Sequence, residues 1–335
     1  MNAPPSRRLW IGVPGLDGVD APANPIPGGV VLFGRNLDPD ETVGPARCHA
    51  LLSELQARWG GRFPLVVALD QEGGPVSRLR PWVGETPSLH RIWRDGGAAG
   101  CAAWGRLWGQ GLALLGFNTD LAPVTDLLDA DRGGAMGERC ASSDPVQAAL
   151  AAGAFLHGLE GAGIRGCLKH FPGLGGTRVD SHLELPERKE AEGMAPHLIP
   201  FRMLAHADRL VMVAHLKTPF SGGLPASLHP EHALRNPWGV AGRWVTDDLE
   251  MGAVSDWPWG ERVRLAVEAG HEALLVCQTR AAVEAADEAL QSLPGAGVFR
   301  TPSRPLLVRG TRESRFDAVA WALWVDEVRA AAAAL

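Results

Sequence analysis

Short, largely apolar runs recur along the chain, at Leu9–Val13, Gly28–Phe33, Leu65–Leu69, Phe117–Ala122, Ile164–Leu168, Leu210–Ala214, Arg243–Thr246 and Ala273–Cys277. They are continuous rather than alternating, which is how strands buried on both faces read. Most are separated by stretches with helical spacing. Thr42–Trp59 is apolar at Val43, Leu51, Leu52 and Leu55, and Gly60-Gly61 stops it. Further helices are predicted at about Gly97–Leu115, Pro145–Gly161, Arg188–His206 (broken near Pro196 and Pro200), Glu231–Leu234, Glu261–Ala269, Ala281–Leu290 and about Glu313–Ala333. Eight strands alternating with helices predict an α/β protein, a (β/α)8 TIM barrel. The expectation is a single catalytic domain over residues 1–335, with a helical extension from about 313.

A doubly wound open sheet is the rival, and the polar residues favour the barrel. Asp70, Lys169, His170, His215 and Asp247 fall at the C-terminal ends of predicted strands. Asp120 lies inside the fourth strand, and Arg139 lies in the long irregular loop Thr125–Ser143 beyond it. In a barrel those ends converge on one mouth, where active sites form. In an open sheet they would spread along a crevice. The glycine-rich pieces do not spell the dinucleotide fingerprint, and no GxxxxGK[ST] phosphate loop is present. No cofactor is expected.

The stretch Lys169-His170-Phe171-Pro172-Gly173-Leu174-Gly175-Gly176-Thr177-Arg178-Val179-Asp180-Ser181-His182 carries the densest chemistry. Proline removes a backbone donor and glycine carries extra backbone entropy, so the stretch reads as a loop above a scaffold. Asp180 and His182 are two residues apart and point the same way in an extended segment. The carboxylate can then orient one imidazole nitrogen and leave the other to handle a proton.

Composition narrows the class. The chain has 335 residues, 46% hydrophobic and 21% charged, enough for a sizeable core. A net charge of -6 gives no reason to expect a nucleic-acid partner. Cys48, Cys101, Cys140, Cys167 and Cys277 are scattered without a CxxC pair, which fits a reducing compartment. Met1–Arg8 does not read as a signal peptide, and no apolar stretch is long enough to span a membrane. A monomer is expected. Twelve tryptophans without a tyrosine read mainly as core and helix packing, with some free to line a sugar site.

Asp247 follows Val245-Thr246 and should be held rigidly at the mouth, whereas Asp248 should point elsewhere, as a cap or scaffold residue. Asp70 supplies an acceptor, and Arg139, Lys169 and His170 supply donors. That mixture suits a sugar, because hydroxyls both donate and accept. Asp70, His170, His182, His215 and Asp247 could instead bind a metal. They lack HxH or HExxH spacing, and Lys169 and Arg139 oppose a cation, so no metal is expected. Glycoside hydrolysis needs two ionisable groups. Asp247 suits the nucleophile, and His182 backed by Asp180 suits the acid/base on a loop free to move.

These residues resemble glycoside hydrolase family 3 of the bacterial β-N-acetylhexosaminidase type. The resemblance runs from Gly28–Phe33 to about Cys277, through Val67–Gly74, Phe117–Pro123, Gly137-Glu138-Arg139, Lys169–His182 and Thr246–Ala253. It implies a retaining β-N-acetylglucosaminidase working through a covalent glycosyl-enzyme. Asp247 is then the nucleophile and His182, paired with Asp180, the acid/base. It also implies that Asp70, Arg139, Lys169 and His170 hold the terminal N-acetylglucosamine, with a lesser role for Arg78. The implied task is release of N-acetylglucosamine from anhydro-muropeptides during cytoplasmic peptidoglycan recycling. Some relatives use phosphate instead of water, and others carry a second domain with a carboxylate acid/base, for which this chain is too short. Two positions depart from the family pattern. Leu174 stands where the His-Phe-Pro-Gly-His-Gly loop has its second histidine, and Pro75 where an arginine usually follows Gly-Gly. The alternatives are a β-glucosidase or glycoside phosphorylase of the same family, or a non-catalytic sugar-binding barrel.

Overall fold

Strands β1 (Leu9–Gly12), β2 (Gly29–Leu32), β3 (Val66–Leu69), β4 (Thr119–Asp120), β5 (Cys167–Phe171), β6 (Leu210–Val213), β7 (Arg243–Asp248) and β8 (Ala273–Val276) make one 8-stranded sheet. Its neighbours run β4-β3-β2-β1-β8-β7-β6-β5, all parallel. The two end strands meet through the bridges Thr119–Arg165 and Val124–Lys169, so the sheet curls into a barrel. Thr125 N–H donates to Lys169 O at 2.7 Å across that seam. This computed structural model describes residues 4–16, 25–61, 64–129, 135–177, 179, 181, 183–294 and 315–335.

The barrel explains the unbroken apolar runs. Trp10, Val31, Val66, Ala68, Cys167, Met212, Val245 and Leu275 pack together inside it. Alternate residues such as Ile11, Val30, Leu32, Val67 and Val276 join the core under the helices. Both faces of each strand leave water, so period-two alternation vanishes.

The helices are α1 (Gly44–Trp59), α2 (Arg80–Val83), α3 (Leu89–Leu115), α4 (Pro145–Gly161), α5 (Ala195–Leu204), α6 (Trp259–Glu268), α7 (Arg280–Ser292) and α8 (Ala318–Ala333). α3 begins before the predicted Gly97 because Ser88 caps it, accepting from Arg91 N–H at 3.2 Å; Gly97 is a kink with φ 54°. Ahead of α5 the chain is extended rather than helical at Arg188, whose N–H donates to Lys217 O at 2.9 Å. The short helix expected at Glu231–Leu234 is a five-residue π turn, Glu231–Arg235.

α8, Ala318–Ala333, packs against the barrel's helices; residues 313 and 314, where the extension was expected to begin, lie outside the described residues. Trp324 Nε1 donates to Leu107 O at 2.7 Å, and Trp321 meets Trp82 edge-on at 5.7 Å. These tryptophans serve packing rather than the mouth. Among the described residues, no helix is long and apolar enough to cross a membrane.

α3 and α4 approach backbone to backbone. A Cβ on Gly105 would stand 2.0 Å from Phe155 O, and one on Gly158 would stand 2.0 Å from Ala102 O. Gly105→Ala gains about 1 kcal/mol of helix propensity but forces the two helices apart. A net loss of about 1–2 kcal/mol is expected, read by urea unfolding.

Candidate active site

A cavity of about 390 Å³ opens at the C-terminal mouth of the barrel. That size suits a small ligand. Asp70, Arg78, Arg139, Lys169, His170 and Asp247, all singled out in the sequence, line it.

Strand β3 delivers Asp70, the residue after Leu69. The next residues form a small antiparallel ribbon, Gln71–Gly73 with Val76–Ser77, which places Glu72 at the cavity. Pro75 sits exposed in the ribbon's turn. Strand β5 continues three residues beyond the predicted Leu168, because Phe171 still pairs with Val213 of β6. Lys169 and His170 therefore stand on the barrel wall, not on a loop.

Lys169 links the two carboxylates. Its Nζ lies 2.7 Å from Asp70 Oδ1 and 2.6 Å from Glu72 Oε1. Arg139, brought by a 3-10 turn, donates Nε and Nη2 to the two oxygens of Glu72, each at 2.8 Å. Arg78 approaches Asp70 at 3.5 Å. Burial alone would raise both carboxyl pKa values. The Lys169 ammonium and Arg78 guanidinium outweigh it at Asp70, and Arg139 and Lys169 outweigh it at Glu72, so both fall below the ordinary range. Burial alone would likewise depress Lys169, but the two carboxylates hold its pKa above normal. Asp70, Glu72, Lys169 and Arg139 are therefore all ionised at neutral pH.

Asp126, in the loop after β4, is buried against His170. Its Oδ2 lies 2.7 Å from His170 Nδ1, and its Oδ1 accepts Leu174 N–H at 2.6 Å. Leu174 itself is buried, lines the cavity and packs with Val124, Met136, Cys140, Ala214 and Leu216. Across the cavity, Asp247 Oδ1 accepts the N–H of Asp248 at 2.8 Å. Asp248 also lines the cavity, but its carboxylate is engaged by the scaffold. It ties β7 to the end of β8, accepting from Cys277 N–H at 3.2 Å and Gln278 Nε2 at 2.8 Å. Burial pushes its pKa up to about 6.

His215 is not available as a ligand. It is fully buried, with Nδ1 2.6 Å from Ser227 Oγ and Nε2 2.9 Å from Asp248 O. Both ring nitrogens serve the scaffold behind Asp247. Among the described residues, no group of three or more histidine, cysteine or acidic side chains is placed to hold a metal. Asp180 and His182, the acid/base pair inferred from the sequence, lie outside the described residues. Glu72 and Asp126 were not singled out in the sequence. Glu72 had a signal, an acidic residue two positions past a strand-end carboxylate. Asp126 had a weaker one, an acidic residue just beyond Pro123.

The chain matches the model for the glycosyl hydrolase family 3 N-terminal domain over residues 23–296. It is 36% identical over 284 residues to a beta-hexosaminidase of Tolumonas auensis, covering 82% of each chain. It is 34% identical over 318 residues to a beta-hexosaminidase of Pseudomonas aeruginosa, covering 93% of this chain and 92% of that one. Among solved structures, native NagZ from Neisseria gonorrhoeae superposes with a TM-score of 0.78 at 25% identity, covering 99% of both chains. With a family match over most of its length and a barrel whose mouth gathers this charged set, the chain belongs to glycosyl hydrolase family 3 and is a glycoside hydrolase.

Proposed function

We propose that the chain is a retaining β-N-acetylglucosaminidase, with residues 1–335 acting as one catalytic barrel. The observation that carries this reading is the Asp70–Lys169–Glu72–Arg139 ion network sharing a cavity with Asp247. The network offers fixed donors and acceptors to a sugar's hydroxyls, and Asp247 offers a carboxylate oxygen for the anomeric carbon. The relatives named as beta-hexosaminidases support the choice of an N-acetylated amino sugar.

In this mechanism Asp247 attacks the anomeric carbon as the glycosidic bond breaks, giving a glycosyl ester on the aspartate. His182, backed by Asp180, protonates the leaving oxygen. It then takes a proton from the water that attacks the ester, which frees Asp247. Asp70 accepts from sugar hydroxyls, Lys169, Arg139 and His170 complete their hydrogen bonds, and Arg78 supports Asp70. Anhydro-muropeptides of peptidoglycan recycling in the cytoplasm are the proposed natural substrates.

The wild type is expected to hydrolyse 4-nitrophenyl N-acetyl-β-D-glucosaminide. His182→Ala is expected to lower kcat by roughly 10²- to 10⁴-fold, the usual reach of a general acid/base. Turnover of the aryl glucoside in place of the N-acetylglucosaminide, or a strict need for phosphate, would replace this reading with one of the family alternatives.

A further inference from the structure

We infer that Asp126 is a positioning residue that fixes which nitrogen of His170 carries a proton and ties that ring to the backbone of Leu174. The inference rests on reading His170 as a ligand for the sugar.

Asp126 is 1% exposed, and both its oxygens are engaged. Oδ2 faces His170 Nδ1 at 2.7 Å and accepts the His170 backbone N–H at 3.1 Å, and Oδ1 accepts Leu174 N–H at 2.6 Å. An ionised carboxylate has no proton to give, so every partner must donate. That places a proton on Nδ1 of His170. The ring lines the cavity, so Nε2 is the nitrogen left for a ligand. In the neutral ring it is an acceptor, the complement of a sugar hydroxyl.

The same carboxylate spans a turn. Gly173 N–H donates to His170 O at 2.8 Å, and Asp126 joins His170 to Leu174 across that turn. Arg188 holds the turn from the other side through the carbonyls of Gly173 and Gly175. Moving the Asp126 carboxylate would therefore disturb the sugar-facing ring and the start of the chain leading to His182 together. Among the described residues, Arg139, Arg188, His197 of α5 and Cys140 also interact electrostatically with Asp126. Among the described residues, His170 is the titratable side chain in hydrogen-bond contact with it.

Imidazole ¹⁵N NMR of the wild type tests the first half without any assay. The His170 signals are identified by their loss in His170→Asn. The expected pattern is a protonated Nδ1 and an unprotonated Nε2; the opposite tautomer in the wild type overturns the inference. Asp126→Asn is expected to mix the tautomers. It should also lower kcat/KM on the aryl N-acetylglucosaminide by roughly 10- to 100-fold, by analogy with the carboxylates that orient metal-bound histidines. The Asp126→Asn/His170→Asn double variant should fall no more than about threefold below the worse single variant, because coupled residues do not add. Multiplying losses, or wild-type kinetics in Asp126→Asn, would refute a positioning role. If Asp126→Asn does not fold, the wild-type tautomer still decides. A wild type with the expected tautomer but no activity on the glycoside would count against the proposed reaction and leave the tautomer assignment standing.

Discussion

Asp247→Ala is expected to lower turnover of an aryl β-N-acetylglucosaminide by roughly 10⁴-fold or more, a loss of the size seen when a nucleophile is deleted. A retaining route needs a carboxylate that bonds to the anomeric carbon, and the substitution removes it. The fold should tolerate the change. Asp247 is half-buried and open to the cavity, and among the described residues it accepts a hydrogen bond from the neighbouring Asp248 N–H, which water can satisfy in the variant. Stability by urea unfolding should therefore stay within about 1 kcal/mol of wild type. A chemical control sharpens the test. Azide added to Asp247→Gly can enter the vacated space and attack the same carbon from the same side. Proton NMR should then show a glycosyl azide of α configuration. Wild-type turnover in Asp247→Ala, or β-configured product with azide, would remove Asp247 from the nucleophile's place.

Much of the barrel was legible because its strands are buried twice over. Residues facing the interior, such as Val31 and Met212, and residues facing the helices, such as Val30 and Val211, are both apolar. Each strand therefore stood out as a short solid run. Boundaries failed where tertiary pairing overrode local preference. β5 runs on to Phe171, up against Pro172 and Gly173, because β6 offers it a partner. The first turns of α3 were missed because Gly97, a kink inside the helix, reads as its start.

The site divides along the same line. Asp70, Lys169, His170 and Asp247 were visible because topology alone sends strand ends to the mouth. Glu72 and Asp126 acquire their meaning from partners far along the chain, Arg139 and His170, which no local pattern announces. His215 shows the converse. Its place at a strand end suggested chemistry, but Ser227 and the Asp248 carbonyl occupy both of its nitrogens.

Glu72→Gln is expected to cost about 3–5 kcal/mol of stability at pH 7, the range for breaking a buried ion pair from one side. Glu72 is 5% exposed and lies between Lys169 and Arg139. The substitution keeps the shape and removes the charge. Its single carbonyl oxygen cannot serve both cations, and its amide turns a donor toward one of them. Arg139 cannot shed its proton to relieve the clash, while Lys169 keeps Asp70. Acid should shrink the difference. Burial works against the Glu72 carboxylate, but Arg139 and Lys169 hold its folded pKa well below the ordinary 4.5. The folded state thus keeps Glu72 ionised where the unfolded chain binds a proton. Its contribution is complete above about pH 4.5 and declines as the pH falls below that. Urea unfolding at pH 7, 5 and 3.5 should therefore show a gap between wild type and variant that is constant over the first two and narrower at the third. An exposed pair provides the comparison. Arg80 and Glu85 approach to 3.3 Å with side chains 42% and 78% exposed, and Glu85→Gln should change stability by less than about 1 kcal/mol. If Glu72→Gln behaved like Glu85→Gln, or if its gap widened in acid, the buried network would not be the electrostatic centre of the mouth. If both variants behave as expected, burial rather than the number of ion pairs sets the energetic weight of the sugar-facing wall.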